Sequence, residues 1–185
     1  MRRRKIAALM MTLAMLSACG GRTGEAEFES FRASLGGETQ ITMTADVTAE
    51  TDTNADAYTL KCVSTPQESA VEVLAPEIIA GVKARMTEGS STLEYDGLML
   101  GVPELTGDGL SPVSALPRIL SALREGYAET VWREDGRLAV QIKPDDTLAV
   151  TVWFSGEGVP ARAEIASQSD GKVLIYCDIT EFSIG

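Results

Sequence analysis

The chain contains no histidine. That absence excludes Ser-His-Asp and Cys-His catalysis and every histidine-ligated zinc site. Basic residues are scarce, 16 Lys and Arg against 27 Asp and Glu. An acidic surface of this kind repels nucleic acid and anionic headgroups, and no basic patch for phosphate stands out. Solubility is the plainer account of the charge. No Gly-rich phosphate loop occurs. The uncharged run 6–16 has eleven residues, where a spanning helix needs about 20.

Without histidine, the remaining options are carboxylate pairs, Ser-Lys dyads and all-carboxylate metal sites. Asp145-Asp146 sits between strands, where adjacent carboxylates make a solvated turn. Asp52-Thr53-Asn54-Ala55-Asp56 begins like a calcium loop, but Ala57 stands where glycine is needed and Val63 where the last glutamate should be. Glu25, Glu27 and Glu29 fall early in a predicted helix, where they favour its dipole. No catalytic residue, metal ligand or cofactor is expected in this chain.

What is present begins at the amino terminus. Arg2, Arg3, Arg4 and Lys5 precede the apolar run Ile6 to Leu16, and Leu16-Ser17-Ala18-Cys19 closes it with small residues. Positive charge, a short apolar core and a small-residue exit are the anatomy of an export signal. A plain secretory signal cut after Ala18 would have these parts. The segment also resembles a bacterial lipoprotein signal, whose four-residue lipobox it matches at every position. That resemblance implies a diacylglyceryl group on the Cys19 sulfur, cleavage after Ala18 and acylation of the new amino terminus. Several acyl chains, at about 0.8 kcal/mol per buried methylene, hold a protein on a bilayer durably. The expected organisation is a signal over 1–18, a lipidated tether over 19–24 and one domain over 25–185. The location implied is the cell envelope, on the outer side of the cytoplasmic membrane or on an outer membrane. Losing residues 1–18 removes four of the 16 basic residues and none of the 27 acidic ones, so the mature net charge is −15.

Cys62 and Cys177 remain in an oxidation-permissive compartment. Each alternates onto the apolar side of a strand-like run, with Tyr58 and Leu60 in one case and Val173, Ile175 and Ile179 in the other. A disulfide closing so long a loop would contribute about 4–5 kcal/mol by the chain-entropy model. Two small buried thiols are the other reading, and spacing does not choose between them.

The rest of the chain is mostly β. Residues 20–24 (Gly-Gly-Arg-Thr-Gly) read as a flexible tether. Phe28, Phe31 and Leu35 recur at helical spacing, and Gly36-Gly37 stops a helix over 25–35. Ile41, Met43, Ala45 and Val47 then alternate with polar residues as a half-buried strand. Further strands are predicted at 57–64, 71–76, 82–88 and 91–100, the last with a tight turn at Tyr95-Asp96-Gly97, while 76–81 make a helical turn or a bulged corner. Leu110, Val113, Leu116, Ile119, Leu120 and Leu123 mark an amphipathic helix over 111–125, with Ser111 as N-cap, Pro112 at its first position and Gly126 as its stop. Pro117 should kink or break it. Strands resume at 127–134, 137–143, 147–154, 160–168 and 172–182, separated by Asp135-Gly136, Asp145-Asp146, Gly156-Glu157-Gly158 and Asp170-Gly171. Trp132 and Trp153 fall on strands read as neighbours, either paired across the sheet or standing at a pocket mouth.

Eight to ten successive antiparallel strands with so little helix form one large α+β, mainly antiparallel β, curled sheet. Its concave face must be covered, and the helices are the available cover. Met43, Leu60, Val71, Val73, Met86, Leu98, Leu100, Val140, Val150, Val152 and Ile165 are placed on that face, with Leu116, Ile119, Leu120 and Leu123 opposite them on the helix. The interior is then either a packed core or an apolar cavity of lipid size.

This order of elements resembles the LolA/LolB fold, an unclosed β half-barrel with helices as a lid, shared by LppX-type lipoproteins. The likeness rests on the helix 25–35 leading into an alternating strand and on Ser91-Thr92-Leu93-Glu94-Tyr95-Asp96-Gly97. The lid-like helix from Ser111 to Glu125 and the terminal Val173-Leu174-Ile175-Tyr176 complete it. The chain is also similar to GerS-type germination lipoproteins through Glu72-Val73-Leu74-Ala75-Pro76-Glu77 and Leu110-Ser111-Pro112-Val113. The resemblance implies binding of a lipid or an acylated protein, or of an envelope partner protein, without covalent chemistry. One departure stands out. LolA-type carriers have an arginine before a proline to latch the lid, and Thr65-Pro66 stands here instead. A tether on Cys19 fits a stationary acceptor or a scaffold better than a free shuttle.

Overall fold

The structure is a computed structural model that describes residues 20–37, 40–50, 54–102 and 110–185. The expected export signal, Cys19 and the start of the calcium-like segment at Asp52 and Thr53 lie outside the described residues. Helix α1 (Gly20–Ser34) leads into β1 (Ile41–Glu50), β2 (Ala55–Ser64) and β3 (Glu68–Ala75). A 3-10 turn at Glu77–Ile79 precedes β4 (Lys83–Thr87), β5 (Ser90–Tyr95) and β6 (Leu98–Val102). Helix α2 (Pro112–Glu125) crosses to β7 (Tyr127–Glu134), β8 (Arg137–Lys143), β9 (Leu148–Phe154), β10 (Pro160–Ser167) and β11 (Val173–Ile184).

All eleven strands belong to one antiparallel sheet in the order β6-β5-β4-β3-β2-β1-β11-β10-β9-β8-β7. Each half is a meander of consecutive hairpins. The halves join where β1 pairs with β11, Ile41 opposite Ile184 and Ala49 opposite Ile175. The turn chemistry explains the tight hairpins. Asp96-Gly97 and Asp135-Gly136 each place both residues at positive φ (50° and 77°, 50° and 78°), the two-residue turn whose twist matches paired strands. Among the described residues the sheet remains open, with β6 and β7 as its edges.

Alternation puts one face of the sheet inside. Ile41, Met43, Ala45 and Val47 of β1, Leu60 and Cys62 of β2, Val71 and Val73 of β3, and Val150, Val152 and Phe154 of β9 are all buried. Both helices lie against this hollow. Helix α1 docks through Phe28 and Phe31, which meet the Phe154 ring edge-on at centroid distances of 6.2 and 4.9 Å. It starts earlier than the sequence indicates, because 20–24 are helix rather than tether. Gly24 eases the close approach of the helix: a Cβ on it would lie 3.2 Å from Val131 Cγ1 and 3.5 Å from Leu138 Cδ1. Glu25, Glu27 and Glu29 are consequently not in the first turn; Glu27 pairs with Arg133 of β7 instead.

Pro117 does not break α2, which runs unbroken from Pro112 to Glu125. Only one backbone bond, to Val113, is forgone, and the buried Leu116, Ile119, Leu120 and Leu123 hold the helix down on both sides of it. Trp132 and Trp153 are not on adjacent strands. Both stand opposite Ala139 of β8, and their rings meet at 6.4 Å over that small residue. Trp153 donates to Glu134 at 2.8 Å.

Cys62 and Cys177 are free and buried. Cys62 pairs with Met43 and Cys177 with Val47, so β1 lies between them. Two strand spacings of about 4.8 Å and four residue rises of about 3.4 Å separate their Cα atoms by about 16 Å, against a limit near 7 Å for a disulfide. Burial pushes both thiols up to about 12, with Arg124 opposing the shift at Cys62 and Asp178 adding to it at Cys177. Both therefore stay protonated and shielded at pH 8. Ellman's reagent is expected to label neither in the folded chain and both in guanidinium, as mapped by peptide mass spectrometry. Labelling of either at a free-thiol rate before unfolding would contradict this placement.

Candidate functional site

The site begins with the lid helix. Ser111 has extended backbone (φ −105°, ψ 152°), and its hydroxyl accepts from Ser114 N while Ser114 Oγ accepts from Ser111 N, a reciprocal cap. The helix is thereby started at a fixed point, and its apolar stripe of Leu116, Ile119, Leu120 and Leu123 is aimed into the hollow. These four join Met43, Leu60, Val71, Val73, Met86, Val140, Val150, Val152 and Ile165 in a single buried cluster. Sheet and helix residues of this set are thus packed into one core.

Leu98 and Leu100 do not. They lie on the edge strand β6 and are 76% and 64% exposed, with Met99 at 69% and Tyr95 at 51%. Helix α2 covers β1, β2, β3, β8 and β10, so the β5–β6 hairpin projects past its cover. Alternation in the sequence does not report how far a lid reaches.

A cavity of about 600 Å³ opens at the mouth of the hollow. Its walls are the outer side of α2 (Ser114, Pro117, Arg118, Ser121, Arg124), the end of α1 (Arg32, Leu35), the β2–β3 turn (Ser64 to Ser69), Met86 to Glu88, and Pro144-Asp145. Of the residues expected to line an acyl cavity, only Met86 is on this wall. The cavity is a mixed polar and apolar cleft beside the core rather than a greasy channel through it.

Three arginines shape the mouth. Arg32 lies with its guanidinium 4.6 Å from the Phe28 ring centre. It donates from Nε to Leu123 O at 3.1 Å and from a terminal nitrogen to Gly126 O at 2.7 Å. It thus satisfies carbonyls at the C-terminus of α2, the end where a cation is favoured. Arg124 reaches from the last turn of α2 to the end of β2, donating to Ser64 Oγ at 3.2 Å, Thr65 O at 3.1 Å and Ser64 O at 3.4 Å. Thr65-Pro66 is therefore the receiving side of a helix-to-strand tie whose arginine comes from the lid. Arg118 lies 3.7 Å from Asp145. Burial raises the Asp145 carboxyl, but bonds from Thr147 and Leu148 and the Arg118 charge outweigh it and hold the group below its ordinary value. Its stabilising part is present above the unfolded pKa and is lost as pH falls through the folded one.

None of these arginines was nominated from the sequence. Arg32 and Arg124 are single cations near helix ends and Arg118 one in mid-helix, patterns that most solvated arginines share; only the hydrogen bonds from α1 to the end of α2 single out Arg32. Replacing Arg32 with alanine removes two charge-assisted hydrogen bonds and a ring contact. It should destabilise the chain by about 2 kcal/mol, seen as a lower urea midpoint, with Arg32→Lys recovering part of the loss. An unchanged midpoint for Arg32→Ala would mean that water serves these carbonyls equally well.

Among the described residues, no helix is long and apolar enough to cross a membrane, and no group of three Cys, Asp or Glu is arranged for a metal ion. Asp145 and Asp146 form the exposed turn expected of them.

No protein-family model matches the chain, and no curated protein matches it in sequence. Solved structures do. An uncharacterised conserved protein from Thermus thermophilus shares 15% identity at a TM-score of 0.49, covering 88% of both chains. A LolA superfamily protein from Nitrosomonas europaea shares 11% at 0.47, over 86% of this chain and 92% of that one. The structure of the Clostridioides difficile CwlD amidase in complex with the GerS lipoprotein shares 14% at 0.44, over 86% and 94%. At such identities these likenesses say nothing of what the chain binds. Among the described residues, an open antiparallel sheet of eleven strands with two helices in its hollow is the curled, LolA/LolB-like half-barrel expected from the sequence.

Proposed function

We propose that the chain is a non-catalytic lipoprotein of the cell envelope, anchored through Cys19, that works by holding a partner protein. The export signal and lipobox support the address. The distribution of apolar surface carries the rest: the residues that could greet an acyl chain are spent on one another in the buried cluster, while Tyr95, Leu98, Met99 and Leu100 face solvent. Exposed apolar surface gathered on one hairpin is the mark of an interaction site. The mouth cavity supports a second reading, capture of a lipid, since Leu35, Met86 and Pro117 give it an apolar side.

Crosslinking in cells followed by native mass spectrometry of the purified chain separates the two. A protein adduct with no bound lipid is expected; a stoichiometric lipid and no protein adduct would reverse the ranking. Cys19→Ala should move the chain from the membrane fraction to the soluble one, and a variant that stays with the membrane would remove the anchor from the proposal.

A further inference from the structure

The two edges of the sheet are treated differently. Edge strand β7 carries Glu129, Arg133 and Glu134, and α1 lies against it, with Glu27 paired to Arg133. Charges and a covering helix are the usual means of keeping a strand edge from pairing. Edge strand β6 reads Leu98-Met99-Leu100-Gly101-Val102, with no charge and no proline, and its apolar side chains are exposed on both faces.

The backbone of β6 has a definite open register. Asp96-Gly97 is a two-residue turn, so Tyr95 and Leu98 are the hydrogen-bonded pair that closes it. Bonded and non-bonded pairs alternate in an antiparallel ladder. Leu100 therefore bonds inward to Leu93, while Met99 and Gly101 turn their N–H and C=O groups away from β5. The next hairpin agrees. Its two-residue turn between Thr87 and Ser90 makes Lys83 and Glu94 a bonded pair, which turns Glu94 away from Met99.

The charges around this edge are acidic. Glu94 is the cross-strand neighbour of Met99 and Asp96 lies in the adjoining turn, with Lys83 beyond Glu94 as the counter-charge. The mature chain as a whole carries −15 by its composition. Two copies brought edge to edge would set Glu94 and Asp96 of each against the other's, so a second copy is a poor occupant.

Resting on the partner-binding reading, we propose that β6 is a strand-addition site for an extended segment of the partner that alternates apolar with basic residues. The segment pairs with the backbone of Met99 and Gly101, lays its apolar residues beside Leu98 and Leu100, and sets its basic residues on the opposite face, beside Met99 and Glu94. Five residues at about 3.4 Å each give a contact about 17 Å long.

The test uses the full chain in phosphatidylcholine nanodiscs and a labelled ten-residue peptide alternating valine and lysine, read by fluorescence anisotropy. The peptide should bind, and its valine–glutamate counterpart should bind at least tenfold more weakly. Met99→Pro deletes an outward N–H but no bond to β5, and should weaken binding at least tenfold. Met99→Lys keeps the backbone donor, opposes the lysines by charge, and should weaken binding severalfold. No binding of the valine–lysine peptide, equal binding of the acidic one, or wild-type binding by both variants would overturn the proposal. In cells, a photocrosslinking residue at Met99 should yield an adduct that maps to a basic, extended segment of another protein. An adduct only from a control at Thr151, on the other half of the sheet, would sink the edge site but leave partner binding standing. Adducts from neither position would sink both, and a Met99 adduct to a second copy of the chain would overturn the choice of occupant.

Discussion

Gly126→Ala is expected to destabilise the folded chain by about 3 kcal/mol, read as a lowered urea midpoint with little change in slope. The reason is space rather than backbone freedom. Gly126 has φ −65° and ψ 150°, which any residue adopts. A Cβ built there would lie 2.7 Å from Ala122 O and 3.1 Å from Ala122 Cα, and would collide with the Ile142 methyl. Neither neighbour can yield cheaply: Ala122 belongs to the last turn of α2, and Ile142 is buried in β8. The N–H of Gly126 also donates to Ala122 O at 2.8 Å, and its carbonyl accepts from Arg32. Shifting this residue therefore disturbs the end of the lid and its arginine together. The gain from restricting the unfolded chain, about 0.4–1 kcal/mol for Gly→Ala, is too small to offset it. An unchanged midpoint would mean that the junction between α2 and β7 is looser than its contacts indicate.

Phe154→Ala should have an effect of similar or larger size, about 3–5 kcal/mol. Phe154 is buried at the end of β9, where the Phe28 and Phe31 rings meet it edge-on. Phe31 passes the contact on to Phe182 of β11 at 6.0 Å. Removing the ring leaves a void that the strand cannot collapse, because β8 and β10 hold it on both sides. The loss should be uneven. Hydrogen exchange in α1 is expected to quicken more than exchange in β1 or β2, since the helix depends on these rings for its seat. Phe154→Leu should recover more than half of the stability, and loosening spread uniformly over the sheet would argue against this division.

The strands were legible because period-two alternation is strong wherever one face is buried, as in Ile41, Met43, Ala45 and Val47. The lid helix was legible from its cap, its stripe and its stop. What the residues concealed is tertiary. Pro117 satisfies every local condition for a break, yet packing on either side of it outweighs one missing bond. Trp132 and Trp153 meet because Ala139 between them is small, a fact of register rather than of either tryptophan. Leu98 and Leu100 alternate as core residues do, and only the length of α2 decides that nothing covers them. Gly24 looked like part of a flexible tether because glycine serves flexibility and close approach equally well. Arg32 and Arg124 carry no local signature, since their partners are main-chain carbonyls far away in the sequence.

The pairing of β1 with β11 also bears on how the chain reaches its folded state. Thr44 and Glu181, bonded across that seam, are 137 positions apart. Joining the two meanders therefore waits for β11, which leaves the ribosome after every other described strand. Loops of such length close slowly, and topologies rich in distant pairings fold slowly. Until β11 arrives, β1 exposes the flank that β11 will fill, and each meander is a half-sheet with an apolar side. A seam that closes after the hairpins on either side of it makes the two half-sheets, rather than the whole sheet, the first units that can form.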